Sequence, residues 1–251
     1  MKGQLIIIWM LYTVCAQKIE LVGHRGMRGS IPENTILAFE SAIKSGVDMV
    51  ELDVRLCKTG ELVVMHDSTI DRVSDGGGYV KQLSLSELKK VSLSHNQTVS
   101  TLAEVLEFIN RRCRVNIELK GKNTAQQTAN VIKFYIDCKG WIADDFIVSS
   151  FNLYELFAFK NISPGIKTGL IFEQLPIDYV RISREFGATS LMMSYSLITE
   201  RFVADAGQHN INIYAWTVND QIDVNCLCEY GVRGIITDWP DKITVSSVQG
   251  R

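Results

Sequence analysis

The sequence lacks a strong charge of either sign. Lys and Arg number 26 against 28 Asp and Glu, a formal net charge of -2. The basic pairs Lys89-Lys90 and Arg111-Arg112 stand alone and read as solvated helix faces. The chain therefore has no basic footprint for nucleic acid. Zinc-type cysteine spacing is also missing. The six cysteines include no C-x-x-C, and Cys226-Leu227-Cys228 is too tight for one. No low-complexity linker and no shift in composition divides the chain. Long apolar runs are absent save one, Leu5–Val14. It falls short of the roughly 20 residues that cross a bilayer, so the sequence offers no stable membrane span.

That run fits another use. Met1-Lys2-Gly3-Gln4 brings a positive charge before it, and Val14-Cys15-Ala16 follows with small or β-branched residues. This is the order of a secretory signal peptide, and it predicts removal of residues 1–16 and a secreted or periplasmic product. The competing readings are an extra N-terminal strand or helix and a lipoprotein signal with Cys15 as acceptor. Val14 is bulkier than lipoprotein processing prefers. Cleavage after Ala16 leaves Cys57, Cys113, Cys138, Cys226 and Cys228. An odd number cannot all pair internally, and these read as mostly buried free thiols. Asn96-Gln97-Thr98 and Asn161-Ile162-Ser163 match the glycosylation acceptor pattern, which matters only for a secreted eukaryotic protein.

What is there is a rhythm. Short apolar stretches rich in β-branched and aromatic residues occur at Ile19–Gly23, Met49–Val54, Arg114–Leu119, Phe146–Ser150, Thr168–Phe172, Thr189–Ser194, Asn212–Thr217 and Gly234–Thr237. They read as buried parallel strands. Amphipathic segments lie between them, among them Asn34–Ser45, Leu102–Arg111, Thr124–Asp137 and Thr199–His209. Eight strand–helix repeats in 251 residues predict a closed (β/α)8 TIM barrel, which takes about 250. One stretch breaks the repeat. After the second strand, Glu61–His66 reads as a short extra strand, followed by a polar segment to Ser100 with a helical piece around Leu85–Val91. An insertion there (about 68–100) sits at the C-terminal face of a barrel, where active sites are built, and is a candidate rim or lid.

The unusual polar residues sort to the C-terminal ends of these strands. Gly23-His24-Arg25-Gly26 ends the first and Glu51-Leu52-Asp53 the second. His66-Asp67 ends the extra strand, and Glu118-Leu119-Lys120 ends the third repeat. Ser149, Trp216 and Asp238 end later ones. Barrel catalysis is built on that face. Glu51 and Asp53, two apart on a strand, share a side of it. With Glu118 on the neighbouring strand they create a like-charge problem that a proton or a cation must solve. An all-carboxylate set favours a hard divalent ion, Mg2+ or Ca2+, over zinc. His24 and His66, two of only four histidines, suit an acid–base pair. Arg25 and Lys120 add the fixed charge of a phosphate clamp. His95 and His209 read as surface residues.

Taken in order, His24-Arg25-Gly26, Pro32-Glu33-Asn34-Thr35, Glu51-Leu52-Asp53-Val54 and His66-Asp67 resemble the signature of glycerophosphodiester phosphodiesterases. Thr101-Leu102-Ala103-Glu104, Ile117-Glu118-Leu119-Lys120, Trp216-Thr217-Val218-Asn219 and Thr237-Asp238 continue the likeness, which runs from Lys18 to Asp241. The resemblance implies a TIM barrel with a small insertion after the second strand. It implies metal ligands at Glu51, Asp53 and Glu118, an acid–base pair at His24 and His66, and phosphate contacts at Arg25 and Lys120. His24 is then the base and His66 the acid. Phe151 and Trp216 fall where the family places apolar residues around substrate; simple core packing is the other reading for both. The implied reaction is hydrolysis of a glycerophosphodiester to an alcohol and glycerol 3-phosphate. Two alternatives stand beside it: a phospholipase D-like enzyme acting on lysophospholipids or sphingomyelin, and a non-catalytic barrel that binds head groups.

Overall fold

The computed structural model describes residues 18–246. The leader assigned to residues 1–16, with Cys15, lies outside them. Nine strands occur in the order β1 (Glu20–Gly23), β2 (Met49–Leu56), β3 (Leu62–Val64), β4 (Arg114–Leu119), β5 (Phe146–Ser150), β6 (Lys167–Phe172), β7 (Ser190–Ser194), β8 (Asn212–Trp216) and β9 (Gly234–Thr237). All but β3 run parallel, and the pairing of β1 with both β2 and β9 closes them into an eight-stranded barrel. The short β3 pairs antiparallel with the end of β2, Val54 opposite Val64. His66 lies two residues beyond it, not at its end as the sequence suggests.

The helices are α1 (Ile36–Lys44), α2 (Leu85–Leu88), α3 (Leu102–Ile109), α4 (Thr124–Lys139), α5 (Leu153–Ile162), α6 (Tyr179–Glu185), α7 (Glu200–Gln208) and α8 (Gln221–Tyr230). Several starts are written in the sequence. Thr35 caps α1 by accepting from the Ala38 amide, and Thr101 with Glu104 forms a reciprocal capping box at α3. Losing such a cap costs about 1 kcal/mol.

Period-two alternation divides the strands between two cores. Val50, Leu52 and Val54 of β2, with Val115, Ile117 and Leu119 of β4, face outward into the layer shared with the helices. Val22, Met49, Ile147, Ile171, Met192, Tyr214 and Ile236 point inward and fill the barrel. Extending the same parity past this apolar layer reaches His24, Glu51, Glu118, Phe151, Glu173, Trp216 and Asp238 at the C-terminal ends. The barrel geometry therefore turns scattered strand-end residues into one convergent set. All but Glu118, which stands above Asn116 on β4, sit one or two inward positions above a packed apolar side chain.

The insertion carries its own small core. Cys57, Val63, Met65, Ile70, Val80, Leu88, Leu93 and Val99 are buried together. Backbone bridges Thr69–Tyr79 and Ser74–Leu93 tie the segment across itself. It is a packed wall of the rim, not a loose flap. Among the described cysteines all five are unpaired, with Cys57, Cys113 and Cys228 buried and Cys138 and Cys226 exposed. His95 is exposed, whereas His209 is half-buried beside Arg184. No helix among the described residues is long and apolar enough to cross a membrane.

Candidate active site

The β1 end sets the first part of the site. Arg25 adopts a left-handed backbone, φ 50°, and Gly26 follows at φ 83°. A Cβ on Gly26 would lie 2.7 Å from the Ala38 backbone carbon, so only glycine lets this loop rest on α1. Left-handed backbone at a non-glycine costs about 1–2 kcal/mol. Here it aims the Arg25 amide at Glu51, donating to Oε2 at 2.8 Å. The Arg25 guanidinium donates to Glu33 Oε1 at 2.8 Å and stands 3.4 Å from Asp53 Oδ2. Asn34 donates through Nδ2 to the same Asp53 oxygen at 2.8 Å. The Pro32–Thr35 run thus holds one carboxylate of the cluster and caps α1.

Glu51, Asp53 and Glu118 converge. Each offers an oxygen within 4.8 Å of the others, and all three are buried. Asp53 and Glu118 are direct cross-strand neighbours. Burial, then the charges of Asp53 and Glu118, pushes the Glu51 carboxyl well above its usual range. Burial and Asp53 push Glu118 up to about 7, although Lys120 Nζ lies 2.9 Å from its Oε1. The cluster is under-neutralised for its depth. Asp53 Oδ1 is buried without any hydrogen-bond partner. An all-oxygen donor set with an orphaned carboxylate oxygen fits a hard divalent cation.

Both histidines flank this cluster, and each is oriented by its own carboxylate. His24 Nδ1 lies 2.7 Å from Asp238 Oδ1, and His66 Nδ1 lies 2.6 Å from Asp67 Oδ1. A proton on Nδ1 satisfies each pair and leaves Nε2 free for chemistry. His24 Nε2 is 4.0 Å from Glu51 Oε2. Burial is the largest influence on both imidazoles and holds them below their ordinary value, while the hydrogen bonds they donate to Asp238 and Asp67 work against it. The supports continue outward. Asn219 donates to Asp238 Oδ2 at 3.0 Å and accepts from the Asp238 amide at 2.9 Å. Arg72 donates to Asp67 at 2.6 Å and to both oxygens of Glu33. Burial alone would raise the Glu33 carboxyl; Arg72 and Arg25 instead hold it down at about 2. Arg55 donates to the carbonyl of His66 at 2.9 and 2.7 Å and to that of Lys120 at 3.1 Å.

A cleft of about 430 Å³ opens above the cluster. Eight of the nine residues singled out in the sequence line it: His24, Arg25, Glu51, His66, Glu118, Lys120, Phe151 and Trp216. The ninth, Asp53, is fully buried beneath. Phe151 is not core: it is 41% exposed, packs edge-on against Trp216 at 6.0 Å and lies 5.3 Å from Lys120 Nζ. Glu173 and Arg28 also line the cleft and were not singled out. Asp238 and Asp67 were legible as strand-end acids but not as histidine partners. Asn219 stands in the Trp216–Asn219 run of the resemblance without a role of its own, and nothing local in the sequence marks Arg55 or Arg72.

A parallel barrel with a carboxylate cluster, two oriented imidazoles and two cations around one cleft defines a TIM-barrel hydrolase built for phosphate esters. The comparisons make the family specific. Residues 24–242 match the model of the glycerophosphoryl diester phosphodiesterase family. The chain is 34% identical to a glycerophosphodiester phosphodiesterase of Caldanaerobacter subterraneus subsp. tengcongensis, over 90% of this chain and 96% of the relative. It is 32% identical to the putative glycerophosphodiester phosphodiesterase YhdW of Bacillus subtilis, over 89% and 96%. Among solved structures, an Oleispira antarctica phosphodiesterase in complex with the product sn-glycerol-3-phosphate superposes with a TM-score of 0.83. That match has 27% identity and covers 89% of this chain and 94% of that one. The chain belongs to the glycerophosphoryl diester phosphodiesterase family and is an enzyme of that class.

Proposed function

We propose that this protein hydrolyses glycerophosphodiesters to an alcohol and glycerol 3-phosphate, with His24 and His66 as the acid–base pair. The observation that carries the reading is the pairing of each histidine's Nδ1 with a carboxylate, in one cleft with a buried acidic cluster. Glu51, Asp53 and Glu118 would hold a divalent cation, Mg2+ or Ca2+, which supplies Lewis acidity and charge neutralisation at the phosphate.

The chain's own groups do the rest. Arg25 and Lys120 border the cleft and balance the phosphate oxygens. His24, the more enclosed imidazole (14% against 28% side-chain exposure for His66), rests neutral at pH 7. Its Nε2 takes the proton of the nucleophile, which is water or the adjacent glycerol hydroxyl; in the second case the cyclic phosphate formed is then opened by water to give glycerol 3-phosphate. Asp238 steadies the imidazolium so formed. His66 gives a proton to the leaving oxygen; the negative diester beside it favours its protonated form. Each transfer contributes about 10²–10⁴-fold. Phe151 and Trp216 form an apolar wall for the carbon skeleton of the substrate, and Lys120 stacks on that wall. An activity screen across several glycerophosphodiesters, with added Mg2+ or Ca2+ and a chelated control, tests this. Lysophosphatidylcholine and sphingomyelin belong in the same screen. Cation-dependent release of glycerol 3-phosphate is the expected result; turnover of the lysolipids alone would move the assignment to the phospholipase D-like reading.

A further inference from the structure

A second cavity, of about 500 Å³, lies beside the first, and the two share a single lining residue, Lys120. One wall is the insertion, where Ser68, Tyr79 and Lys81 face it; the other is the loop from Lys120 to Asn123. Both walls are fixed by hydrogen bonds. The Val80 amide donates to the Ser68 carbonyl at 3.0 Å, and the Asn123 amide donates to Glu155 at 2.6 Å. Arg55 spans the floor between them, since its guanidinium binds the carbonyls of both His66 and Lys120.

The lining has one sign. Arg55, Lys81, Lys120 and Lys122 contribute four cations, and no carboxylate faces the cavity. Nearby acids are committed elsewhere: Asp67 to His66 and Arg72, and Glu155 to the amides that open α4. Lys81 and Lys122 form no ion pair among the described residues, unlike Lys120, which is held by Glu118. A walled, uniformly cationic concavity focuses its field on anions. Its position adds direction. Arg55, which lines it, holds the carbonyl of His66, so the cavity borders the His66 side of the cleft, the side on which an alcohol protonated by His66 would leave.

We propose that the second cavity binds an anionic group, a phosphate ester foremost, carried on the leaving alcohol of the diester. Lys81 and Lys122 select that substrate class, Tyr79 walls the seat, and Lys120 links it to the reacting phosphate. This rests on the assignment of His66 as the acid on the leaving-group side.

The probes are myo-inositol and myo-inositol 4-phosphate, used free and as their glycerophosphodiesters, with the full chain and saturating divalent cation. The phosphorylated diester should show the higher kcat/KM by roughly tenfold, an advantage that high salt screens away. Lys81→Glu combined with Lys122→Glu should erase that advantage and leave the unphosphorylated diester unchanged, since neither lysine touches the reacting groups. Calorimetry with the free alcohols needs no turnover. Inositol 4-phosphate should bind the wild type and an inactive His66→Ala variant, inositol should not, and the double reversal should abolish binding. If neither diester is turned over, the hydrolase reading fails and the binding arm still decides this one. Equal binding of the two alcohols, or binding that survives the double reversal, overturns the proposal. So does inorganic phosphate held as tightly, with the same dependence on both lysines, because the cavity would then be a free-phosphate site.

Discussion

Glu20 and Glu118 are buried carboxylates inside the same barrel, at opposite ends of it. At the N-terminal end Glu20 is fully matched. Arg114 and Arg233 donate to its Oε1 at 2.8 and 2.5 Å, and the Tyr214 hydroxyl donates to Oε2 at 2.9 Å. Two guanidiniums and a phenol surround one carboxylate. At the C-terminal end Glu118 shares its space with Glu51 and Asp53. The nearest cations there are Lys120 and an Arg25 already engaged with Glu33. One end closes the barrel; the other keeps an unsettled charge ready for a ligand. A fold can bury the same residue type for stability or for function, and the balance of partners, not burial, tells the two apart.

The largest effects are expected at the histidines of the C-terminal end. His24→Ala and His66→Ala should each lower kcat by about 10²–10⁴-fold with little change in melting temperature. The double variant should cost less than the product of the two, since they act as a unit. A substrate with an activated leaving group sharpens the roles. The His66 variant should recover most of its rate on it and the His24 variant should not. Equal recovery of both would remove the assignment of base and acid. A histidine that only braces the barrel would show the reverse pattern, a lower melting temperature with kcat spared.

The opposite end makes the complementary forecast. Glu20→Gln strands two half-buried guanidiniums and should destabilise the protein by about 1–3 kcal/mol, with kcat unchanged in the folded protein. Urea unfolding beside a kinetic assay checks both halves. A fall in kcat at full stability would mean that the N-terminal mouth takes part in the chemistry.

Much of this contrast was legible in the sequence, and the rest was hidden for definable reasons. Three strands, Arg114–Leu119, Phe146–Ser150 and Gly234–Thr237, have the bounds their apolar runs suggest, because buried parallel strands are continuous in sequence. The carboxylate cluster was visible because period-two alternation is local. His24 and Asp238 are different. They meet only because β1 and β9 close the barrel, with Gly23 opposite Thr237, a contact across 214 positions. Arg72 reaches Glu33 and Asp67 through the folded insertion, which no spacing rule reports. α5 and α8 lack a clean apolar stripe: Tyr154, Phe157 and Ile162 of α5 and Ile222 of α8 are exposed. Their sequences therefore announce helices less clearly than α3 does.

A subtler difference between the ends appears with pH. In protein stripped of cations, Glu51 and Glu118 carry raised carboxyls, Glu118 at about 7 against an ordinary 4.5. The native state then holds more protons than the unfolded chain between those values, so the stability these two carboxyls contribute is full below about 4.5 and declines as pH rises through 7. At the acid end Glu33 runs the other way: its lowered carboxyl contributes stability above 4.5 that is lost as pH falls toward 2. Stripped protein should therefore melt higher at pH 5 than at pH 8. Saturating cation should reverse that order, because the ion competes with protons for the same oxygens. Identical pH profiles with and without cation would contradict the shared site.

The most direct measurement is a calorimetric titration of chelator-stripped protein with Ca2+ and with Mg2+ at two pH values. One ion should bind per chain, with proton release that grows as the pH is lowered toward 6, and Asp53→Asn should abolish the heat while the protein stays folded. Binding that persists unchanged in Asp53→Asn, or no binding by the stripped wild type, would show that Glu51, Asp53 and Glu118 do not hold the ion.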